Sequence, residues 1–294
     1  MCHRKKKPDS FLWPYHKTPA YLRTNPYIKN GYRVNLSTLE CFRSVLWWTN
    51  ETLNIWSHII GFVVFLCLLI YDVTVVYNKY HGTEDDALVV SFVLICFMMC
   101  MILSSLYHTL NCTSEKACMK WLAFDIFGIS TSFFAIFLSG IYYGFWCPEY
   151  DLHRYIYCGL VCIVFAGAVA FLLTPKFLRD DWEWARVTLF TSWAASGIIP
   201  TVHWIYLYFG NTTGIVELFL PRIFTMYGIC GLAVTVYVMK IPERLLPGRF
   251  DFVGASHQLW HLIIVIALVY WHQTGINYAQ YRLKFGCGKD IVHQ

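Results

Sequence analysis

His257 and His261 stand four residues apart in the stretch SHQLWH, immediately ahead of the apolar run LIIVIALVYW. On a helix, positions i and i+4 lie on one face, so the two imidazoles could clamp a single metal ion. The pair alone is weak evidence, because histidines near a membrane surface need no metal to explain them. Other residues of metal-binding or proton-transfer type strengthen the reading: His108 in SSLYH, Ser104 four residues before it, and Asp125 in WLAFD. Three histidines with an open fourth position describe a catalytic type of zinc site, and imidazole suits that ion. A nearby aspartate could hydrogen-bond a bound water or hold a ligand in place. Zinc lowers the pKa of such a water to about 7, enough to let it attack an amide or ester. Ser104 shares a helix face with His108 and could donate to a ligand or polarise a substrate carbonyl.

Those residues matter only if the chain delivers them to one place. The sequence has 294 residues, 57% hydrophobic and only 14% charged. Ordinary globular domains carry about 25% charged residues, so this composition reads as a polytopic membrane protein. Seven apolar segments are long enough to cross about 30 Å of hydrocarbon. They lie near Asn54–Tyr77, Ala87–Thr109, Trp121–Trp146, Tyr155–Thr174, Trp184–Phe209, Leu218–Met239 and Phe252–Thr274. Pro200 and His203 interrupt the fifth. The expectation is an all-α bundle of seven transmembrane helices over 51–274. Ahead of it come an N-terminal tail (1–36) and an interfacial helix (37–50), and a tail (275–294) follows. The first fifty residues contain no continuous apolar stretch of signal-peptide type.

Charge sets the expected orientation. Seventeen Lys and Arg residues fall on the side of the N-terminus and six on the other. The positive-inside rule therefore puts the N-terminus in the cytosol and, with seven spans, the C-terminus outside or in a lumen. That is the reverse of a G-protein-coupled receptor. It also assigns depths. His108 ends the second span, Asp125 begins the third, and His257 and His261 begin the seventh, all at the cytosolic end. An ionisable group at membrane depth costs at least about 2.5 kcal/mol and usually has a role. His58, at the start of the first span, is read as a hydrogen-bonded interface residue rather than a fourth nitrogen ligand. His203 and His272 map to the opposite end.

Smaller signals complete the pattern. Ser37 and Glu40 form a capping box ahead of STLECFRSVLWW, whose Leu39, Phe42, Val45 and Leu46 fall at helical spacing. This helix could lie on the leaflet or pack on the bundle. Asn211 is a glycosylation acceptor in a non-cytosolic loop. Cys147 and Cys287 are the only cysteines outside the spans on that side and could pair. Cys112 and Cys118 are expected to be free cytosolic thiols.

The motifs NPYIKNGYR, NETLNIWSH, SSLYH, FDIFGIS, PERLLPGRFDFVGASHQLWH and YWHQ, in that order from about Asn25 to Gln273, resemble the progestin and adipoQ receptor family. The resemblance implies seven helices and zinc held by His108, His257 and His261. It also implies an Asp125 that contacts the ion through water, and a matching Ser104. For function it implies a membrane signalling regulator. Such a protein would retain a Raf-type kinase at the Golgi membrane through its N-terminal tail and damp the MAP kinase cascade, with structural zinc. Two alternatives stand beside that reading. One is an intramembrane zinc hydrolase of a ceramide-like lipid amide. The other is a receptor for an adipokine or steroid, for which the sequence shows no pocket. Membrane lipids are expected partners and nucleic acid is not. The tail's basic run, Arg4 to Lys7, could equally bind anionic lipid.

Overall fold

The computed structural model describes residues 12–76, 79, 82–210 and 214–287. It is helical almost throughout. A short helix α1 (Thr38–Ser44) precedes α2 (Thr52–Tyr71), which a π-helical turn prolongs to Val76. Then follow α3 (Glu84–Leu110), α4 (Glu115–Gly144), α5 (Asp151–Leu172), α6 (Glu183–Ser196), α7 (Ile198–Tyr208), α8 (Ile215–Met239) and α9 (Ser256–Phe285). Six of these elements are long and apolar enough to cross a membrane. Large apolar side chains such as Ile60, Ile163, Phe224 and Ile266 point outward from them, as a lipid-facing surface requires.

Local chemistry sets the helix ends. Ser37 and Thr83 each accept a backbone hydrogen bond from the third residue of their helix. Glu40 and Asp86 reach back to close both capping boxes. Ser114 caps α4 by accepting from Ala117 N. Lys240 at φ 52° ends α8 in the left-handed region, and Gly286 ends α9.

The expected fifth span, Trp184–Phe209, is two helices rather than one. Pro200 has no N–H to give the Ser196 carbonyl, so the ladder breaks at Gly197. Thr201 instead turns both its N–H and its hydroxyl onto Gly197 O, at 3.2 and 2.7 Å. The last span is shifted as well. Residues 252–255 form a loop in which Gly254, at φ +85°, and Ala255 both donate to Gln258 Oε1. At its other end α9 runs past Thr274 to Phe285, because Ile276, Tyr278, Ala279 and Tyr281 are buried there and Arg282 pairs with Asp86 of α3. Residues 275–285, expected as tail, are therefore helix. A Cys147–Cys287 disulfide holds the end of α9 to the α4–α5 turn.

α3 and α4 come into close contact at Gly128, where a Cβ would sit 2.9 Å from the Cys100 Cα. Small residues at such crossings let backbones meet in lipid. Buried Ser130, Thr131 and Ser139 of α4 satisfy their hydroxyls on carbonyls of the preceding turn.

The segment before α1 is not a loose tail. Leu12–Trp13 pairs antiparallel with Tyr32–Arg33. The loop that follows α8 receives this hairpin. Lys29 N and Asn30 Nδ2 donate to Asp251 at 2.7 and 2.9 Å, and Asn25 Nδ2 donates to fully buried Glu243 at 2.9 Å. Glu243 also accepts from Ser256 N and Oγ at the start of α9. Arg33, 2% exposed, donates to the His108 and Thr109 carbonyls at the end of α3 and to Ser44 Oγ of α1. A cation there complements the negative end of the helix dipole. In α1, Cys41 and Ser44 face inward while Leu39 and Phe42 are exposed, as is Leu46 in the turn that follows. The Arg4–Lys7 run and the Asn211 acceptor lie outside the described residues.

Candidate metal centre

The start of α2, the end of α3 and the start of α9 meet at one end of the bundle. There His108, His257 and His261 bring one ring nitrogen each within 4.8 Å of the others. His257 Nε2 lies 3.3 Å from His108 Nε2 and 3.2 Å from His261 Nε2. Tetrahedral ligation at about 2.0–2.1 Å separates ligand nitrogens by roughly 3.3–3.4 Å, which the two spacings through His257 match, while the three nitrogens together lie within 4.8 Å and would close further around one ion.

The outer nitrogens show what the inner ones present. His108 Nδ1 is 2.8 Å from Glu51 Oε2, and His261 Nδ1 is 3.1 Å from the Asn54 carbonyl. Carboxylates and carbonyls only accept, so each Nδ1 must carry the proton. Both Nε2 atoms then offer lone pairs to the same small space. A proton on His257 Nε2 could serve only one of them, whereas a cation serves both. The buried histidine triad could thus hold a metal ion, with its ligands oriented by an outer layer from α2.

Glu51 is the centre of that layer. It also accepts from Asn54 Nδ2 at 2.6 Å and Asn111 Nδ2 at 3.4 Å. Burial by itself disfavours its charge. The hydrogen bonds from His108 Nδ1 and Asn54 and the nearby Arg33 guanidinium nevertheless keep its carboxyl below the usual carboxylate range. Sequence reasoning singled out neither Glu51 nor Asn54. The available signal was their place in NETLNIWSH, at the same end of a span as the histidines.

Ser104 and Asp125 are buried side chains on the same wall. His58 departs from expectation. It is 4% exposed and stacks on His261 at 3.8 Å, yet neither ring nitrogen has a partner. It is a buried neighbour of the triad, not a hydrogen-bonded interface residue. His203 and His272 do lie away from the triad. His203 Nδ1 is 3.0 Å from the Tyr157 hydroxyl, and His272 pairs with Asp72 at 2.6 Å.

From the triad a cavity of about 810 Å³ runs between the helices, which supplies the pocket that the sequence could not show. Asp125, Ser104 and His58 line it near the histidines, and aromatic residues such as Phe133, Trp271, Trp204 and Tyr278 line it further on. Its size is that of a small-molecule or lipid site.

Fold and centre together define a polytopic helical membrane protein with a buried histidine cluster opening on an apolar chamber. Residues 46–272 match the haemolysin-III-related family, and the chain belongs to this haemolysin-III and progestin/adipoQ receptor family. It is 39% identical over 284 residues to progestin and adipoQ receptor family member 3 of mouse and of human, covering 96% of this chain and 90% of each relative. It is also 29% identical to heptahelical transmembrane protein 1 of Arabidopsis thaliana, covering 94% of this chain and 83% of that one. The adiponectin receptor protein of Drosophila melanogaster is 29% identical over 92% of this chain, which spans 60% of its length. The heptahelical relative accords with α6 and α7 serving together as one crossing.

Proposed function

We propose that this protein is an intramembrane zinc-dependent hydrolase of a lipid amide of ceramide-like type. The observation that carries the reading is the convergence of three Nε2 atoms at the head of an apolar cavity. A purely structural ion needs four closed ligands and no chamber beside it. Here three histidines leave a side open to the cavity. His108, His257 and His261 would hold the ion, and imidazole ligation suits zinc. Zinc, when bound, supplies a Lewis acid that activates water near neutral pH. The rest falls to the chain. Glu51 and the Asn54 carbonyl fix the imidazole tautomers. Asp125, which lines the same cavity as Ser104 and the histidines, would take a proton from water and pass it to the departing amine. The aromatic chamber takes the acyl chain and keeps bulk water away.

The test is metal analysis of purified protein beside turnover of a labelled ceramide. Asp125→Asn should keep the metal and lose turnover, and His257→Ala should lose both. Zinc-loaded wild-type protein that cleaves no lipid amide would end this reading.

The family resemblance supports a second reading, retention of a Raf-type kinase at the Golgi membrane with a structural zinc. Much of residues 12–36 is tied to the chain's own loops, so the contact is assigned to the basic run of residues 4–7. Removing residues 1–11 should release a tagged kinase from the membrane if this reading holds. Retention unchanged by the deletion would dismiss it.

A further inference from the structure

Cys41 of α1 and Cys112, just beyond the end of α3, place their sulfurs 3.5 Å apart, at van der Waals contact. They are 0% and 1% exposed, and Leu36, Leu110, Trp47 and Trp121 pack around them. The residues are 71 positions apart in the chain, so the fold and not local sequence makes the pair. A disulfide needs about 2.05 Å, which the two side chains reach by closing about 1.5 Å. From these observations we propose that Cys41 and Cys112 form a reversible redox site, with hydrogen peroxide as the oxidant.

The surroundings favour one thiol as the attacking group. The Cys112 sulfur lies 3.5 Å from the Cys41 sulfur, the Thr113 hydroxyl stands 3.4 Å from it, and the Arg33 guanidinium lies nearby. Against the effect of burial, these hold the Cys41 thiol below its usual range. The Cys41 thiolate attacks one peroxide oxygen, the O–O bond breaks, and the departing hydroxide takes a proton to leave as water. Cys112 sulfur then attacks the Cys41 sulfenic acid. Its S–O bond breaks, and the hydroxide leaves as a second water with the Cys112 proton. Two thiols lose two electrons and two protons, and one peroxide becomes two waters. Burial admits a small neutral oxidant through brief opening of the seven-residue α1, while it slows bulky thiol reagents.

The new bond would span the junction that Arg33 already bridges, one turn beyond His108. Oxidation would therefore pin the N-terminal hairpin and α1 to the helix that carries one of the three clustered histidines. On a cytosolic face, where thiols are kept reduced, such a bond is a transient signal and not a constitutive brace. It is separate from Cys147–Cys287 at the far end of the bundle.

The test uses the full-length protein in lipid nanodiscs, exposed to hydrogen peroxide, then alkylated in denaturant and digested without reductant. Mass spectrometry should find a Cys41–Cys112 linked peptide after peroxide, not before, and dithiothreitol should remove it. In Cys112→Ser protein, dimedone should label Cys41 as its sulfenic acid. Recovery of both cysteines singly alkylated, while exposed Cys67 and Cys162 are oxidised, would overturn the proposal. So would a linkage already complete in untreated protein, or dimedone labelling confined to Cys112 in Cys41→Ser protein.

Discussion

Replacing Glu51 tests whether the outer layer orients the metal ligands. In the native centre its carboxylate accepts the His108 Nδ1 proton at 2.8 Å, and this leaves Nε2 bare to face His257 and His261. In Glu51→Ala that anchor is gone, and the ring can rotate or carry its proton on Nε2. A hydrogen bond to a charged group contributes about 1.5–3 kcal/mol. At 1.4 kcal/mol per tenfold, its loss should weaken metal binding roughly 10- to 150-fold. This agrees with the 10- to 100-fold range typical of outer-layer changes at metal sites. Glu51→Gln keeps an acceptor oxygen without the charge, so its loss should be about tenfold or less. The assay is competition for zinc against a chelator of known affinity, followed by metal content per chain. His108→Ala is the reference for complete loss of a ligand. If Glu51→Ala protein binds zinc as tightly as wild type while His108→Ala protein does not, Glu51 does not orient the ligand and the tautomer argument fails.

Three further outcomes follow from packing and cross-links. Gly128→Ala should lower thermal stability by about 1–3 kcal/mol, because its Cβ meets the Cys100 backbone at 2.9 Å. Gly231→Ala, whose Cβ would meet nothing within 4 Å, is the control and should be neutral in the same melting assay. Arg33→Ala strips the donors from two carbonyls at the end of α3 and from Ser44, and should cost about 1.5–3 kcal/mol. Limited proteolysis should then cut within residues 12–36 sooner than in wild type. Reducing Cys147–Cys287, which joins positions 140 apart, should cost up to about 5 kcal/mol by loop entropy, read as a fall in melting temperature under dithiothreitol.

Much of this architecture was legible because lipid allows few solutions. Runs of apolar residues gave the spans, and alternating the direction of those spans carried His108, Asp125, His257 and His261 to one end without any contact information. The ends were harder to read. Hydropathy treats 184–209 as one segment, whereas the missing N–H of Pro200 breaks it at Gly197. It also stops the last span at Thr274, where polar residues begin. Those residues stay helical because Tyr278 and Tyr281 pack inward and Arg282 finds Asp86. The hairpin that folds onto Glu243 and Asp251 could not be seen at all, since its contacts join positions more than 200 apart. Glu51 escaped notice for a related reason. Its role comes from a partner 57 residues away, and no spacing rule encodes that.

The staple between Asn25 and Glu243 also constrains how the molecule is made. Its halves are 218 residues apart. At about 5–20 residues per second, the ribosome needs roughly 10–45 s to supply the second half after the first. In the later part of that interval Glu51, Asn54, His58 and His108 are already in place at the ends of early helices, without the imidazoles of the last one. Nascent chains must therefore be tolerated, or shielded, in an unfinished form with polar groups waiting in the membrane. A chain released before Ser256 could never complete its centre, and quality control would have an obvious feature to recognise.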